Sequence, residues 1–89
     1  MDLFNVLLDI NGFCADEIIY VELPLSLESQ AKVIAKPIDT AIKVEIEGNI
    51  YVYFLDIFMV KVLLNKFETQ NLCIRDTYQR IIEYVIDHT

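Results

Sequence analysis

Residues 42–55 read Ile42-Lys43-Val44-Glu45-Ile46-Glu47-Gly48-Asn49-Ile50-Tyr51-Val52-Tyr53-Phe54-Leu55, and this stretch decides the fold. Ile42, Val44 and Ile46 alternate with Lys43, Glu45 and Glu47, the period of a strand with one apolar face. Gly48-Asn49 supplies a turn and Ile50 to Leu55 runs back, so the stretch predicts a β-hairpin. Two registers compete. A two-residue Gly48-Asn49 loop sets Ile42, Val44 and Ile46 on one face with Tyr51, Tyr53 and Leu55. A three-residue loop sets the same aliphatics with Ile50, Val52 and Phe54. One residue of slip exchanges the two faces of the returning strand. Turn chemistry favours the first register. The cleaner separation of polar from apolar side chains favours the second, which is the expectation adopted; it leaves Tyr51 and Tyr53 facing outward beside Glu45.

Upstream of the hairpin, residues 2–11 predict a short helix capped by Asp2, with Leu3, Val6, Leu7 and Ile10 at helical spacing and a stop at Asn11-Gly12. Asp16 to Leu23 is rich in β-branched and aromatic residues and predicts a strand closed by Pro24. Residues 25–30 predict a loop or single turn. Lys32 to Lys36 predicts a short strand before Pro37, and its lysines suit a sheet edge.

Downstream, Asp56 is placed to cap a helix over 57–69 with Val60, Leu63, Leu64 and Phe67 inward, although Ile57, Phe58, Val60 and Val62 would also suit a strand. Asp76-Thr77-Tyr78-Gln79 has the spacing of a capping box, and Tyr78, Ile81, Ile82, Val85 and Ile86 form one stripe of a last helix. The fold class is therefore α+β: a short N-terminal helix, an antiparallel sheet of three to four strands with the 42–55 hairpin, and two C-terminal helices packed on one sheet face. Residues 1–89 are expected to form a single domain.

The 14 acidic and 7 basic residues give a net charge of −7, which argues against direct nucleic-acid binding and against docking on anionic lipid. An apolar share of 55% argues against disorder. Asp2 and Asp9 stand where an export signal needs positive charge. The longest apolar run, Ile50 to Leu64, is shorter than the roughly 20 residues of a membrane span and contains Asp56 and Lys61. A soluble, cytoplasmic protein is the expectation. Cys14 and Cys73 lie far apart among apolar neighbours, so two reduced, mostly buried thiols are expected rather than a disulfide.

No catalytic constellation is visible. His88, the sole histidine, lies one residue from the end, and Gly12 and Gly48 stand alone, without a phosphate-binding loop around them. Neither a metal nor a cofactor is expected, and the chain is expected not to be an enzyme. A concave, metal-holding pocket lined by Glu45, Glu47 and Tyr51 is the arrangement that would restore an enzymatic reading.

The surface carries more information. Residues 1–30 hold Asp2, Asp9, Asp16, Glu17, Glu22 and Glu28 with neither Lys nor Arg, while acids and bases nearly balance over the rest. Such a polarised field steers basic partners. The expected partner-binding residues are Asp16, Glu17, Glu22 and Glu28, followed by Glu45, Tyr51 and Tyr53, since outward tyrosines suit interfaces. In size, acidity and helix–strands–helix–helix layout, the chain resembles small bacterial immunity proteins of contact-dependent and polymorphic toxin systems. The resemblance implies a non-catalytic inhibitor that neutralises a basic protein, such as a nuclease toxin, and it transfers no site residues. A phage-encoded inhibitor of a nuclease defence system is an alternative of the same kind. A homodimeric structural or adaptor domain, built on Tyr51, Tyr53 and Leu55, is the alternative of a different kind.

Overall fold

The computed structural model describes residues 1–35 and 43–87. Expectations that fall on Lys36, Pro37, Ile42 and His88 lie outside the described residues. The chain opens with α1 (Leu3–Leu8), where Asp2 accepts a 2.9 Å hydrogen bond from the Asn5 amide as a helix cap should, and a 3₁₀ turn follows at Ile10–Gly12. Then come β1 (Glu17–Glu22), β2 (Ala31–Ala35), β3 (Lys43–Ile46) and β4 (Asn49–Asp56), and finally α2 (Ile57–Glu68) and α3 (Ile74–Asp87). The strands form one antiparallel sheet in the order β2-β1-β4-β3.

Strand β1 is central, and its four inner residues, Ile18 to Val21, are all buried because apolar side chains cover both faces. Ile19 and Val21 join Ala31, Phe54 and residues of all three helices in the main core. Ile18 and Tyr20 join Tyr51, with Ile34, Val44, Ile46 and Tyr53 packed around them, in a second cluster that contains no helical residue. The helices thus lie on one sheet face and Tyr20, Tyr51 and Tyr53 on the other. Between Ile19–Leu55 and Tyr20–Tyr53, β1 advances one residue and β4 two, so Phe54 is the extra residue of a β-bulge. The bulge lets Phe54 and Leu55 both serve the helix-side core.

The hairpin corrects the expected register. Ile46 pairs with Asn49, Glu45 with Ile50, Val44 with Tyr51 and Lys43 with Val52. The loop is Glu47-Gly48, not Gly48-Asn49, and both residues have positive φ (52° and 83°), as a type I′ turn requires. Val44 and Ile46 therefore share a face with Tyr51 and Tyr53, while Glu45 faces the other way beside Ile50. Tyr51 and Tyr53 do turn away from the helices, yet not outward beside Glu45: Tyr51 is 4% exposed.

Other boundaries shift for local reasons. Asp16 precedes β1 rather than opening it. Asp56 caps α2 by accepting from the Met59 amide at 2.7 Å, and Ile57, Val60, Leu63 and Phe67 form the buried stripe. α3 begins two residues before Asp76, with the Thr77 amide and hydroxyl both donating to the Cys73 carbonyl, so Asp76 sits in the first turn and is not the cap. Its stripe keeps Tyr78, Ile81 and Ile82 buried, but Ile86 is 56% exposed. Cys14 and Cys73 are free and exposed, not buried, because one lies in the turn before β1 and the other just ahead of α3.

Candidate functional site

β1 acts as a ruler for the acidic residues. Asp16 and Glu17 stand at its start and Glu22 at its end, about 17–20 Å apart at the rise of an extended strand. That exceeds the screening length of roughly 8 Å at physiological salt, so Asp16 and Glu17 belong to one patch and Glu22 to another. At the first patch Glu17 is already engaged, accepting from the Cys14 amide at 2.7 Å, which leaves Asp16 as the exposed carboxylate. Phe58, 61% exposed, lies nearby, since its amide bonds the Ala15 carbonyl.

The second patch is richer. Glu22 pairs with Tyr51, which pairs with Val44 on its other side. One step further along the sheet, Ile50 pairs with Glu45, and Leu23 follows Glu22 out of β1. Leu23 and Ile50 are each 61% exposed, although both are large and apolar. Glu47, in the turn at the same end of the hairpin, is exposed. Among the described residues, Glu22, Glu45 and Glu47 hold no salt bridge. Glu28 does: Arg75 Nη2 lies 2.5 Å from its Oε1, and this bond holds the carboxyl below its usual range. Glu22 and Glu28 also flank a shallow depression of about 220 Å³ lined by Leu23, Pro24, Ser26 and Gln30.

The sequence names Glu22, Glu28 and Glu45 as contact residues and Glu47 only as part of a conceivable metal pocket, and it gives no sign of Leu23 and Ile50 as surface groups. The sequence groups Ile50 with Val52 and Phe54 on the apolar face, whereas the hairpin leaves it opposite Glu45, next to the turn and 61% exposed. Tyr53, half-buried, packs its ring against Tyr20, and burial first, then the charge of Asp56, raise its phenol above the usual 10.0. Tyr51 offers almost no surface to a partner.

Glu45 and Tyr51 point to opposite faces of the hairpin, so Glu45, Glu47 and Tyr51 do not converge on one pocket. Among the described residues, no group of three His, Cys, Asp or Glu side chains is arranged to hold a metal ion, and no helix is long and apolar enough to cross a membrane. Comparison with known protein families, with curated proteins and with solved structures gives no significant match.

Proposed function

We propose that this chain is a non-catalytic protein-binding domain that neutralises a basic partner, of the kind a nuclease toxin presents, at the Glu22–Glu45 end of its sheet. One observation carries the reading: at one end of the sheet, three carboxylates without a salt bridge among the described residues, Glu22, Glu45 and Glu47, lie close in strand register to two apolar side chains, Leu23 and Ile50, that are 61% exposed, with Glu22 on the face of Tyr51 and Glu45 on the opposite one. Apolar anchors within a charged rim are the anatomy of a protein interface. The acids draw a basic surface in and set its orientation, and the apolar pair supplies contact area that holds after salt screens the charges. Against a nuclease, the carboxylates occupy the subsites that phosphates would fill.

The test starts from the partner captured by the tagged protein in its source organism and measures association rates with purified components at low and high salt. Glu22→Gln with Glu45→Gln is expected to slow association on the order of tenfold at low salt. Asp16→Asn, at the far end of β1, is expected to change it little, and Ile50→Ser is expected to speed dissociation. A partner without a basic surface, or an association rate indifferent to both salt and the Glu22/Glu45 pair, overturns the proposal. Whether the captured nuclease is a kin toxin or a defence enzyme separates the immunity protein from the phage inhibitor.

A further inference from the structure

We propose that the outer edge of β3 pairs with the β3 edge of a second copy of this chain, joining two sheets across a two-fold axis at Val44. The two edges of the sheet are not alike. The start of β2 is covered by the chain's own beginning: the Ala31 amide donates to the Met1 carbonyl at 2.8 Å, and Asp2 bridges to Gln30. Among the described residues, β3 has β4 on one side and no strand on the other. An edge strand with unpaired amides and carbonyls is a template for another strand.

The hairpin dictates which groups that edge presents. The closing pair of a two-residue turn, Ile46 and Asn49, exchanges hydrogen bonds within the hairpin, and such pairs alternate along an antiparallel ladder. Val44 therefore also bonds inward to Tyr51. Lys43 and Glu45 direct their amides and carbonyls to the outer edge, which no strand among the described residues covers. An antiparallel partner strand must oppose outward-bonding residues to outward-bonding residues. Within β3 this leaves Lys43 opposite Lys43, Glu45 opposite Glu45, or Lys43 opposite Glu45. The first two set like charges face to face, which destabilises a strand pair. The third places Val44 on the axis, matches Lys43 to Glu45 twice, and bonds both outward residues of each strand.

Charge also selects the occupant. Each copy carries −7 overall, so most approaches set acid against acid, but β3 holds one Lys and one Glu and is neutral by itself. Edge-to-edge pairing at β3 is an approach in which this acidic chain is complementary to itself. The C2 arrangement is the commonest form of homo-oligomer.

Sedimentation of the full chain over a concentration series tests the proposal, together with concentration-dependent hydrogen exchange of individual amides. The mass is expected to rise from that of one 10.4 kDa chain toward that of two, with the Lys43 and Glu45 amides gaining protection as it does, while Val44 and Ile46 stay protected throughout. Glu45→Lys is expected to weaken the dimer on the order of tenfold or more, and the swap Lys43→Glu with Glu45→Lys to restore it. A chain that stays single to the highest concentration, a dimer whose Lys43 and Glu45 amides remain unprotected, or a swap that fails to restore pairing lost in a folded Glu45→Lys variant would overturn it. Protection that appears only when the captured basic partner is added points to that partner as the occupant and also overturns it.

Discussion

The rings of Tyr20 and Tyr53 meet edge to face across β1 and β4, 6.1 Å between centroids and 87° between planes, on the sheet face that no helix covers. This pair is internal packing. Edge-to-face rings add about 0.5–1.5 kcal/mol beyond the area they bury. Tyr53→Ala is accordingly expected to lower stability by about 2–3 kcal/mol, and Tyr53→Phe by well under half of that, in urea unfolding followed by circular dichroism. Loss of self-association in Tyr53→Ala would therefore report a damaged fold, whereas charge reversal at Glu45 leaves the second core untouched.

The same phenol makes the protein sensitive to alkali. Burial raises Tyr53 above its usual 10.0, with the Asp56 charge adding to it, and burial raises Tyr78 as well. With folded values above unfolded ones, the unfolded chain loses its protons first. The associated stability is complete below about pH 10 and is lost as pH rises through the folded values. Unfolding midpoints are expected to hold steady up to about pH 9 and fall beyond pH 10, and Tyr53→Phe is expected to flatten part of that fall. An alkaline limb unchanged in Tyr53→Phe would remove Tyr53 from the account.

The turn stores a small local cost at Glu47. Its φ of 52° lies in the left-handed region, which a residue with an ordinary side chain enters at roughly 1 kcal/mol. Asparagine followed by glycine is the preferred pair for this turn type. Glu47→Asn is expected to stabilise the fold by about 0.5–1 kcal/mol, or several degrees in a thermal melt of a domain this small. Gly48→Ala, at φ 83°, is expected to destabilise by a similar amount even though space is open around it.

Much of the fold was legible because local signals and tertiary demand agree. Asp2 and Asp56 sit one residue before apolar periodicity and do cap their helices. Glu17–Glu22 reads as a strand from its β-branched run. The register was not legible, because Glu47-Gly48 and Gly48-Asn49 are both plausible loops and the bulge at Phe54 breaks the alternation used to choose between them. No period-2 pattern anticipates two successive residues, Phe54 and Leu55, serving the same core. The candidate site suffered for the same reason. Charge in the first third of the sequence reads as one acidic end, but a six-residue strand carries Asp16 and Glu22 to opposite ends of β1, and Ile50, paired with Glu45 at the hairpin end, is a surface residue.

The cap at Asp56 closes β4 and starts α2 in a single residue, so its loss affects both elements. Asp56→Ala removes the 2.7 Å bond from the Met59 amide and is expected to cost about 1 kcal/mol, within the usual range for caps. Asp56→Asn keeps an acceptor and is expected to retain most of that stability while removing the charge near Tyr53. The two substitutions thus separate capping from electrostatics: both should shift the Tyr53 titration downward, and only the alanine should lower the thermal midpoint markedly. Equal midpoints for the two variants would assign the effect to charge.

Glu28 and Arg75 join the loop after β1 to the first turn of α3 across 47 residues of sequence. The hydrogen bond from Arg75 holds Glu28 below its usual 4.5. With a folded value below the unfolded one, the pair's contribution is present above about pH 4.5 and is lost as pH falls through the folded value. Both side chains are more than half exposed, at 65% and 60%, so solvent and salt screen the pair and its contribution is small. Arg75→Gln is expected to leave stability nearly unchanged at neutral pH in high salt and to lower it slightly in low salt, with the difference vanishing in acid. The more informative readout is binding. Removing Arg75 frees the Glu28 carboxylate beside Glu22, so the Arg75→Gln variant is expected to associate with the captured basic partner faster than the parent at low salt. A slower or unchanged rate would place Glu28 outside the contact surface and confine that surface to Glu22, Glu45 and Glu47.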